Sequence, residues 1–453
     1  MRLRFIGGVG TVTGSKFLLE TSQQRIMVDC GLFQGYKQLR LLNWKPLPFD
    51  PKSIDAVILT HAHLDHSGYL PILVRNGFTG LIYATNATRD LCEILLRDCG
   101  HLFERDAEFA NRHRFSKHHP AEPLFTQADA DRALAHFAPL EFERNHELAD
   151  GIKLRLAHSG HILGSSLVRL ERNGESILFS GDLGRPNSAT MVDPSIVRTA
   201  NHLVIESTYG NREHEPEDPE DVLADIITRT AGRGGTVVIP AFAVGRTQTI
   251  LHHLHRLKVG KRIPNLPVFL DSPMAINASD VFCKHVKDHR LTAAECRATC
   301  DVARYVRDSE ASKKLDDSRV PMVLISASGM ATGGRILHHL KTFAPDPRNT
   351  IVFAGFQAGG TRGAAMTLGA ETVKIHGQYV PVRAEVRNLH MMSAHADADE
   401  ILAWLGQFQA APTNTFITHG EPDAADALRH RIEEQLGWAC RVPALGDEFE
   451  LNS

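Results

Sequence analysis

The chemistry of this chain is concentrated in Thr60-His61-Ala62-His63-Leu64-Asp65-His66. Four of the six residues from His61 to His66 are good ligands for a borderline metal such as zinc, which takes imidazole and carboxylate donors. A pair at i, i+2 beside a pair at i+4, i+5 is too crowded for one tetrahedral ion. It suits two neighbouring ions that share a water. A lone histidine is more often structural than a ligand; the density of this cluster carries the reading. Other candidates stand far along the chain. His161 lies in a small-residue loop, His158-Ser159-Gly160-His161-Ile162-Leu163-Gly164-Ser165, and Asp182 follows Ser180-Gly181. Glu206 opens Glu206-Ser207-Thr208-Tyr209-Gly210, His395 sits in Ser393-Ala394-His395-Ala396-Asp397, and His419 in Thr418-His419-Gly420-Glu421-Pro422. Asp182, just past a strand end and next to glycine, is placed to bridge two ions. Asp29 reads equally as a carboxylate that steadies ligands by hydrogen bonding and as a turn-initiating residue.

Each candidate follows an apolar, β-type run: 25–29, 56–60, 152–157, 176–180, 203–205, 386–392 and 414–417. Ligands on loops that leave buried strands have a rigid base and accessible tips. Segments 69–76 and 86–99 read as helices around a strand at 81–84. The His- and Arg-rich stretch 101–120 reads as a solvated helical face, since Glu104, Asp106 and Glu108 dilute its charge. Near residue 210 the character changes. An acidic connection, 213–221, gives way to a repeated strand, glycine loop and helix. Runs at 236–240, 268–270, 322–325 and 350–354 precede Gly245-Arg246, Asp271-Ser272-Pro273, Ser326-Ala327-Ser328-Gly329-Met330 with Gly333-Gly334-Arg335, and Gly355 through Gly363. Alternation of this kind implies a parallel sheet with its loops gathered at the strands' carboxyl ends. Glycine-rich loops that open helices offer N–H groups to a phosphate, and Arg246, Arg335 and Arg362 add charge. Tight turns without a ligand explain each loop equally well, and none matches a Walker or dinucleotide fingerprint. The chain reads as one metal domain in two pieces, 1–209 and 376–453, interrupted by an inserted α/β domain at 210–375.

At 453 residues the chain exceeds one ordinary core, so two or three domains are expected. A formal charge of -3 gives no global basic signature, so any nucleic-acid contact must rest on a local patch. The seven cysteines are odd in number and form no C-x-x-C pair. Cys296 and Cys300 stand at i, i+4, but two thiols make no structural zinc site. Reduced, mostly buried thiols in a cytoplasmic protein are the expectation. No signal-peptide core opens the chain and no run is long enough to span a membrane.

Taken together, the His61 motif with His161, Asp182 and His419 resembles the metal site of the metallo-β-lactamase fold. The Glu206, His395 and His419 motifs resemble the three further motifs of its β-CASP nuclease branch. The likeness covers essentially the whole chain, including Pro240-Ala241-Phe242-Ala243-Val244-Gly245-Arg246 and Asp271-Ser272-Pro273-Met274. It is similar to the bacterial and archaeal relatives of the endonuclease subunit of the mRNA cleavage and polyadenylation factor. The resemblance implies an α/β chain: an αββα sandwich with an inserted β-CASP domain whose sheet is largely parallel. It implies two Zn2+ per chain, one held by His61, His63 and His161, the other by Asp65, His66 and His419, with Asp182 bridging. Asp65 would also orient the attacking hydroxide. His395 would be the general acid, with Glu206 fixing its ring, and Asp29 would support the ligands. The implied reaction is hydrolysis of single-stranded RNA to 5′-phosphate and 3′-hydroxyl ends, endonucleolytic with 5′-exonucleolytic action left open. A histidine in the last motif leans to RNA rather than DNA. The insert would clamp the strand, with Arg246, Ser326, Ser328, Gly329, Arg335 and Arg362 as candidate contacts. A homodimer stays open. The competing readings are a thioester or lactone hydrolase of the same fold, in which Glu206 and His395 have no obvious use, and a non-catalytic RNA-processing subunit, which has no reason to keep seven ligands.

Overall fold

Short strands of two to seven residues build two seven-stranded sheets that carry the ligand loops. The structure, a computed structural model, describes residues 1–114 and 116–451. The chain forms two compact units. One comprises Met1–Ser188, Val192–Glu213 and the segment from His395 onward; the other comprises Ala189–Met191 and His214–Ala394.

In the first unit, one sheet runs in the order Glu448–Glu450, Arg2–Gly7, Lys16–Glu20, Arg25–Val28, Ala56–Ile58, Leu81–Thr85, Phe137–Leu140. The second runs Cys440–Arg441, Asn414–Thr418, His202–Glu206, Glu175–Phe179, Ser166–Arg172, Lys153–His158, Asn145–Glu147. Leu3, Phe5, Phe17 and Ile58 of the first pack with Leu154, Val168, Phe179, Val204 and Phe416 of the second in one buried core. Removing such a core aromatic costs about 3–5 kcal/mol. Strand Lys153–His158 alternates Leu154 and Leu156, fully buried, with exposed Lys153 and Arg155, so only one of its faces meets the core. The central strands Ala56–Ile58 and His202–Glu206 are buried on both faces. Helices Ala398–Leu405 and Pro422–Leu436 cover the outer face of the second sheet through Ile401, Leu405, Leu428 and Ile432. Helix Asn86–His113 lies against the far strands of the first. These four layers are the αββα sandwich. The same 28-residue helix continues through the His- and Arg-rich segment to His113, and Arg105, Arg112 and His113 are exposed on it.

Parallel pairing then decides where the chemistry lies. Arg25–Val28, Ala56–Ile58 and Leu81–Thr85 are parallel neighbours, as are Glu175–Phe179, His202–Glu206 and Asn414–Thr418. Their carboxyl ends release Asp29, the 61–66 loop, Asp182, Glu206 and His419. Loops at such ends are where open α/β sheets place ligands.

The inserted unit is a six-stranded sheet, Arg304–Tyr305, Val268–Leu270, Val323–Ser326, Val237–Pro240, Thr350–Phe353, Glu385–Asn388, and every pair is parallel. Apolar clusters cover both faces, as a parallel sheet requires. The insert closes later than the expected boundary at 375. Glu385–Asn388 adds an edge strand in register with Thr350–Phe353, so the chain leaves this unit only after Ala394. Composition alone leaves 386–392 as an apolar run leading to a His motif; its hydrogen-bond partner is fixed by register. Among the described residues no helix is long and apolar enough to cross a membrane.

Candidate metal centre

One donor atom each from His61, His63, His161 and Asp182 lie within 4.8 Å of one another, and so do those of Asp65, His66 and His419. Asp182 divides its carboxylate between the groups. Oδ2 is 3.4 Å from His61 Nε2 and 3.5 Å from His161 Nε2, while Oδ1 is 3.2 Å from His66 Nε2 and 3.5 Å from His419 Nδ1. His63 Nδ1 stands 3.1 Å from His61 Nε2 and 3.2 Å from His161 Nε2. His66 Nε2 is 3.0 Å from His419 Nε2, and Asp65 Oδ2 is 3.6 Å from the latter. With metal–nitrogen bonds of 2.0–2.1 Å, a tetrahedral zinc sets its nitrogens about 3.3 Å apart. Both clusters have that spacing.

Hydrogen bonds behind the rings decide which nitrogen faces inward. Thr60 Oγ1 donates to the Asp29 carboxylate at 2.9 Å, so it accepts from His61 Nδ1 at 3.0 Å. His66 Nδ1 donates to Asp29 Oδ2 at 2.7 Å. Thr208 Oγ1 donates to the His419 carbonyl and accepts from its Nδ1, both at 3.1 Å. In each case Nε2 is left as a lone pair aimed at the cluster. Thr60 and Thr208 were not among the sequence candidates. Their only signal is a hydroxyl adjacent to a motif, which many strand ends share.

The electrostatics match a cation site. Burial pulls His61 down to about 3 and His63 to about 4, and holds His161 well below the usual histidine range, so these rings are neutral donors. Burial alone would raise Asp182, but the surrounding imidazoles, His419 and His66 foremost, hold it well below the usual carboxylate range. Burial would lower His66; Asp182 and Asp29 outweigh it and raise the ring well above its ordinary value. The carboxylates that hold a proton there hold a metal ion equally well, with release of the proton. Asp182 Oδ1 is buried 3.2 Å from His66 Nε2, and a buried carboxylate among imidazoles is costly without a cation beside it. The residues fit a metal.

Two backbone features hold the loops. Asp29 and His419 have φ of 59° and 50°, a left-handed conformation that costs a non-glycine residue about 1–3 kcal/mol and clusters at functional sites. Asp29 is pinned by bonds from Thr60 and His66, and His419 N donates to Gly8 O at 2.6 Å. Gly31 is required because a Cβ there would lie 1.6 Å from Asp65 O, in the backbone of the ligand loop itself.

Beside the clusters, Glu206 receives Leu183 N at 2.6 Å, Thr208 N at 3.2 Å and His395 Nδ1 at 3.0 Å. His395 Nε2 points the other way, 3.9 Å from Asp182 Oδ2. Burial would lower this ring, but Glu206 and then Asp182 raise it to about 9. It therefore carries a proton on the nitrogen facing the cluster at neutral pH. The His395 side chain is 16% exposed against 0% for His61, which puts this ring at the rim.

The insert's candidates fare differently. Arg335 donates to Asp271 Oδ1 at 2.5 Å and to the carbonyls of Val306 and Arg307, and Arg362 to the carbonyls of Lys374, Ala331 and Thr332. Ser326 is buried, with Oγ on Asp271 O at 2.8 Å. These three tie their own unit's loops together. Gly329 packs under Phe242, 2.6 Å from where its Cβ would be. Ser328 Oγ and Thr332 Oγ1 are 2.9 Å apart, and Arg246 is buried at the start of helix Arg246–Val259. The thiols also depart from expectation: Cys283 and Cys296 are joined as a disulfide.

Two donor clusters sharing a carboxylate at one edge of an αββα sandwich, in a chain interrupted by a parallel α/β unit, define a metal-dependent hydrolase. The chain belongs to the metallo-beta-lactamase superfamily, in its β-CASP branch. Residues 9–227 match the metallo-beta-lactamase superfamily, 247–366 the Beta-Casp domain, and 379–443 the Zn-dependent metallo-hydrolase RNA specificity domain. Ribonuclease TTHA0252 of Thermus thermophilus is 39% identical over 437 residues, covering 94% of this chain and 95% of that one. Transcription termination factor FttA of Thermococcus kodakarensis is 31% identical over 479 residues, 100% of this chain and 71% of that protein. A crystal structure of a protein of unknown function from Enterococcus faecalis V583 aligns over 99% of both chains with TM-score 0.56 and 14% identity, a likeness of fold.

Proposed function

We propose that this chain is a zinc-dependent ribonuclease that hydrolyses phosphodiester bonds of single-stranded RNA at a dinuclear centre. The observation that carries the proposal is the pair of clusters sharing Asp182 with a protonated imidazole beside them. His61, His63 and His161 would hold one ion, Asp65, His66 and His419 the other. Bound zinc supplies a water acidified to near-neutral pKa and screens the phosphodiester's charge. Asp65 orients the attacking oxygen. His395 donates its Nε2 proton to the departing 3′ oxygen, and Glu206 stabilises the imidazolium and fixes its tautomer. Asp29, Thr60 and Thr208 keep the ligand rings in place. The products are a 5′-phosphate and a 3′-hydroxyl. The ribonuclease relative and the RNA specificity match at 379–443 favour RNA as the polymer. Arg246 and Ser328 stay the insert's candidates for phosphate contact. An acyl thioester hydrolase has no use for a proton donor held this way, since a thiolate leaves without one.

The test is digestion of RNA labelled at one end or the other, with single-stranded DNA and an acyl thioester as controls. Internal cleavage of RNA, leaving 5′-phosphate and 3′-hydroxyl ends, is expected. Intact RNA alongside thioester turnover would overturn the proposal.

A further inference from the structure

Three cysteines of the inserted unit, none used by the hydrolytic centre, meet where two helices pack. Cys283 lies in the last turn of Pro273–Lys284, and Cys296 and Cys300 one turn apart on Ala293–Asp301. The three sulfurs lie within 4.8 Å of one another; Cys283 and Cys296 are bonded, and Cys300 Sγ is 3.5 Å from Cys283 Sγ. Cys296 is buried and the other two are half-buried. A cavity of about 460 Å³ opens beside them, lined by Asp280, Cys283, Arg297, Cys300, Asp301 and Tyr305.

With zinc–sulfur bonds near 2.3 Å, thiolates around a tetrahedral ion sit about 3.8 Å apart. Cys300 Sγ, 3.5 Å from Cys283 Sγ, already stands at that scale, and reduction frees the bonded pair to separate to it. Burial raises the Cys300 thiol above its ordinary value, and Asp280 and Asp301 add to this against an opposing influence of the Tyr305 hydroxyl. A thiol so placed is a poor nucleophile for exchange with the neighbouring disulfide. The same acids favour a cation, and three thiolates select a soft one.

We propose that, once the Cys283–Cys296 bond is reduced, Cys283, Cys296 and Cys300 bind one thiophilic divalent cation of the zinc class, with the fourth position facing the cavity. Reduction by a dithiol balances: the dithiol gives up two electrons and two protons and closes into its own disulfide, and Cys283 and Cys296 each become a thiol. Ligation then releases the protons of the three thiols. The fourth ligand is a water or the Asp280 carboxylate.

The test uses the full chain, reduced with a dithiol, freed of it without air, and titrated with Co2+ in place of zinc. A sulfur-to-cobalt charge-transfer band reports this site alone, because imidazole and carboxylate ligands give none. With Co2+ added until the two ions of the hydrolytic centre are also supplied, the band is expected to level off at the amplitude of one thiolate-bound ion per chain, to be absent before reduction, to vanish in Cys300→Ala and to persist in Cys440→Ala. No band in reduced protein, or an unchanged band in Cys300→Ala, overturns the proposal. A second reading needs no variant: zinc should protect Cys283, Cys296 and Cys300 of the reduced wild type from iodoacetamide, mapped by mass spectrometry. Equal alkylation with and without zinc also overturns it.

Discussion

At the residue scale, His61, His66 and His419 are held by what stands behind them. Asp29 supports two of these rings, His66 directly and His61 through Thr60. Partners of this kind are worth 10–100-fold in metal affinity. Asp29→Asn keeps the shape but weakens the acceptor, and should lower zinc affinity by about 10–100-fold, read by titration against a competing chelator. An unchanged affinity would contradict the hydrogen-bond relay. His395 gives a pH signature. Its proton is held chiefly by Glu206, so the rate should fall as pH rises through the titration of this ring. In Glu206→Gln the main raising influence is gone and burial's downward pull is left, so the falling limb should move to lower pH. A limb that stays in place removes His395 from the proton-donor role. His61, Asp182, Glu206 and His395 were legible in the sequence because only a few residue types can ligate or donate. Thr60 and Thr208 were not, since a hydroxyl beside a motif acquires its role only when a ring turns toward it.

At the scale of elements, the parallel pairing of short buried strands brings residues up to 390 positions apart to one edge, as Asp29 and His419 show. That much follows from strand–loop alternation. The role of an arginine in a glycine-rich loop does not. Arg335 looks ready for a phosphate until Val268–Leu270 delivers Asp271 beside it. Cys283 joins Cys296 only because their helices pack, and the late edge strand Glu385–Asn388 is visible only once its partner is known.

The Asp271 network also makes the insert's stability depend on pH. His339 is fully buried, with Nε2 on Asp271 at 2.7 Å and Nδ1 on Asp316 at 2.6 Å. Burial would lower the ring, but these two carboxylates raise it above 6.5. A raised histidine contributes stability that is full below its unfolded value of 6.5 and lost as pH rises through the folded one. Asp271 works in the opposite sense. Burial would raise it, His339, Ser312 and Arg335 hold it below 3.8, and its contribution is lost on acidification. The network therefore stabilises most between about pH 4 and 6.5. Pulse proteolysis in urea, scored for cleavage within 214–394, should show wild type losing stability from pH 6 to 9 relative to His339→Gln. Parallel pH dependences would contradict the network's charge.

On the scale of the whole molecule, one chain leaves the donor-bearing unit after Glu213 and returns to it at His395, the proposed proton donor. The returning segment also brings His419, so neither the second cluster nor the His395 ring beside it exists in the first 213 residues alone. A formal charge of -3 leaves no global attraction for a polyanion, and the centre must supply its own. In the proposed dinuclear centre its capacity to do so would rest on Asp182 serving two ions at once. Anomalous diffraction at the zinc edge, on crystals of unreduced protein reconstituted with zinc, tests this directly. Two peaks are predicted, one among His61, His63 and His161 and one among Asp65, His66 and His419, with Asp182 touching both. A single peak, or none, would contradict the dinuclear centre.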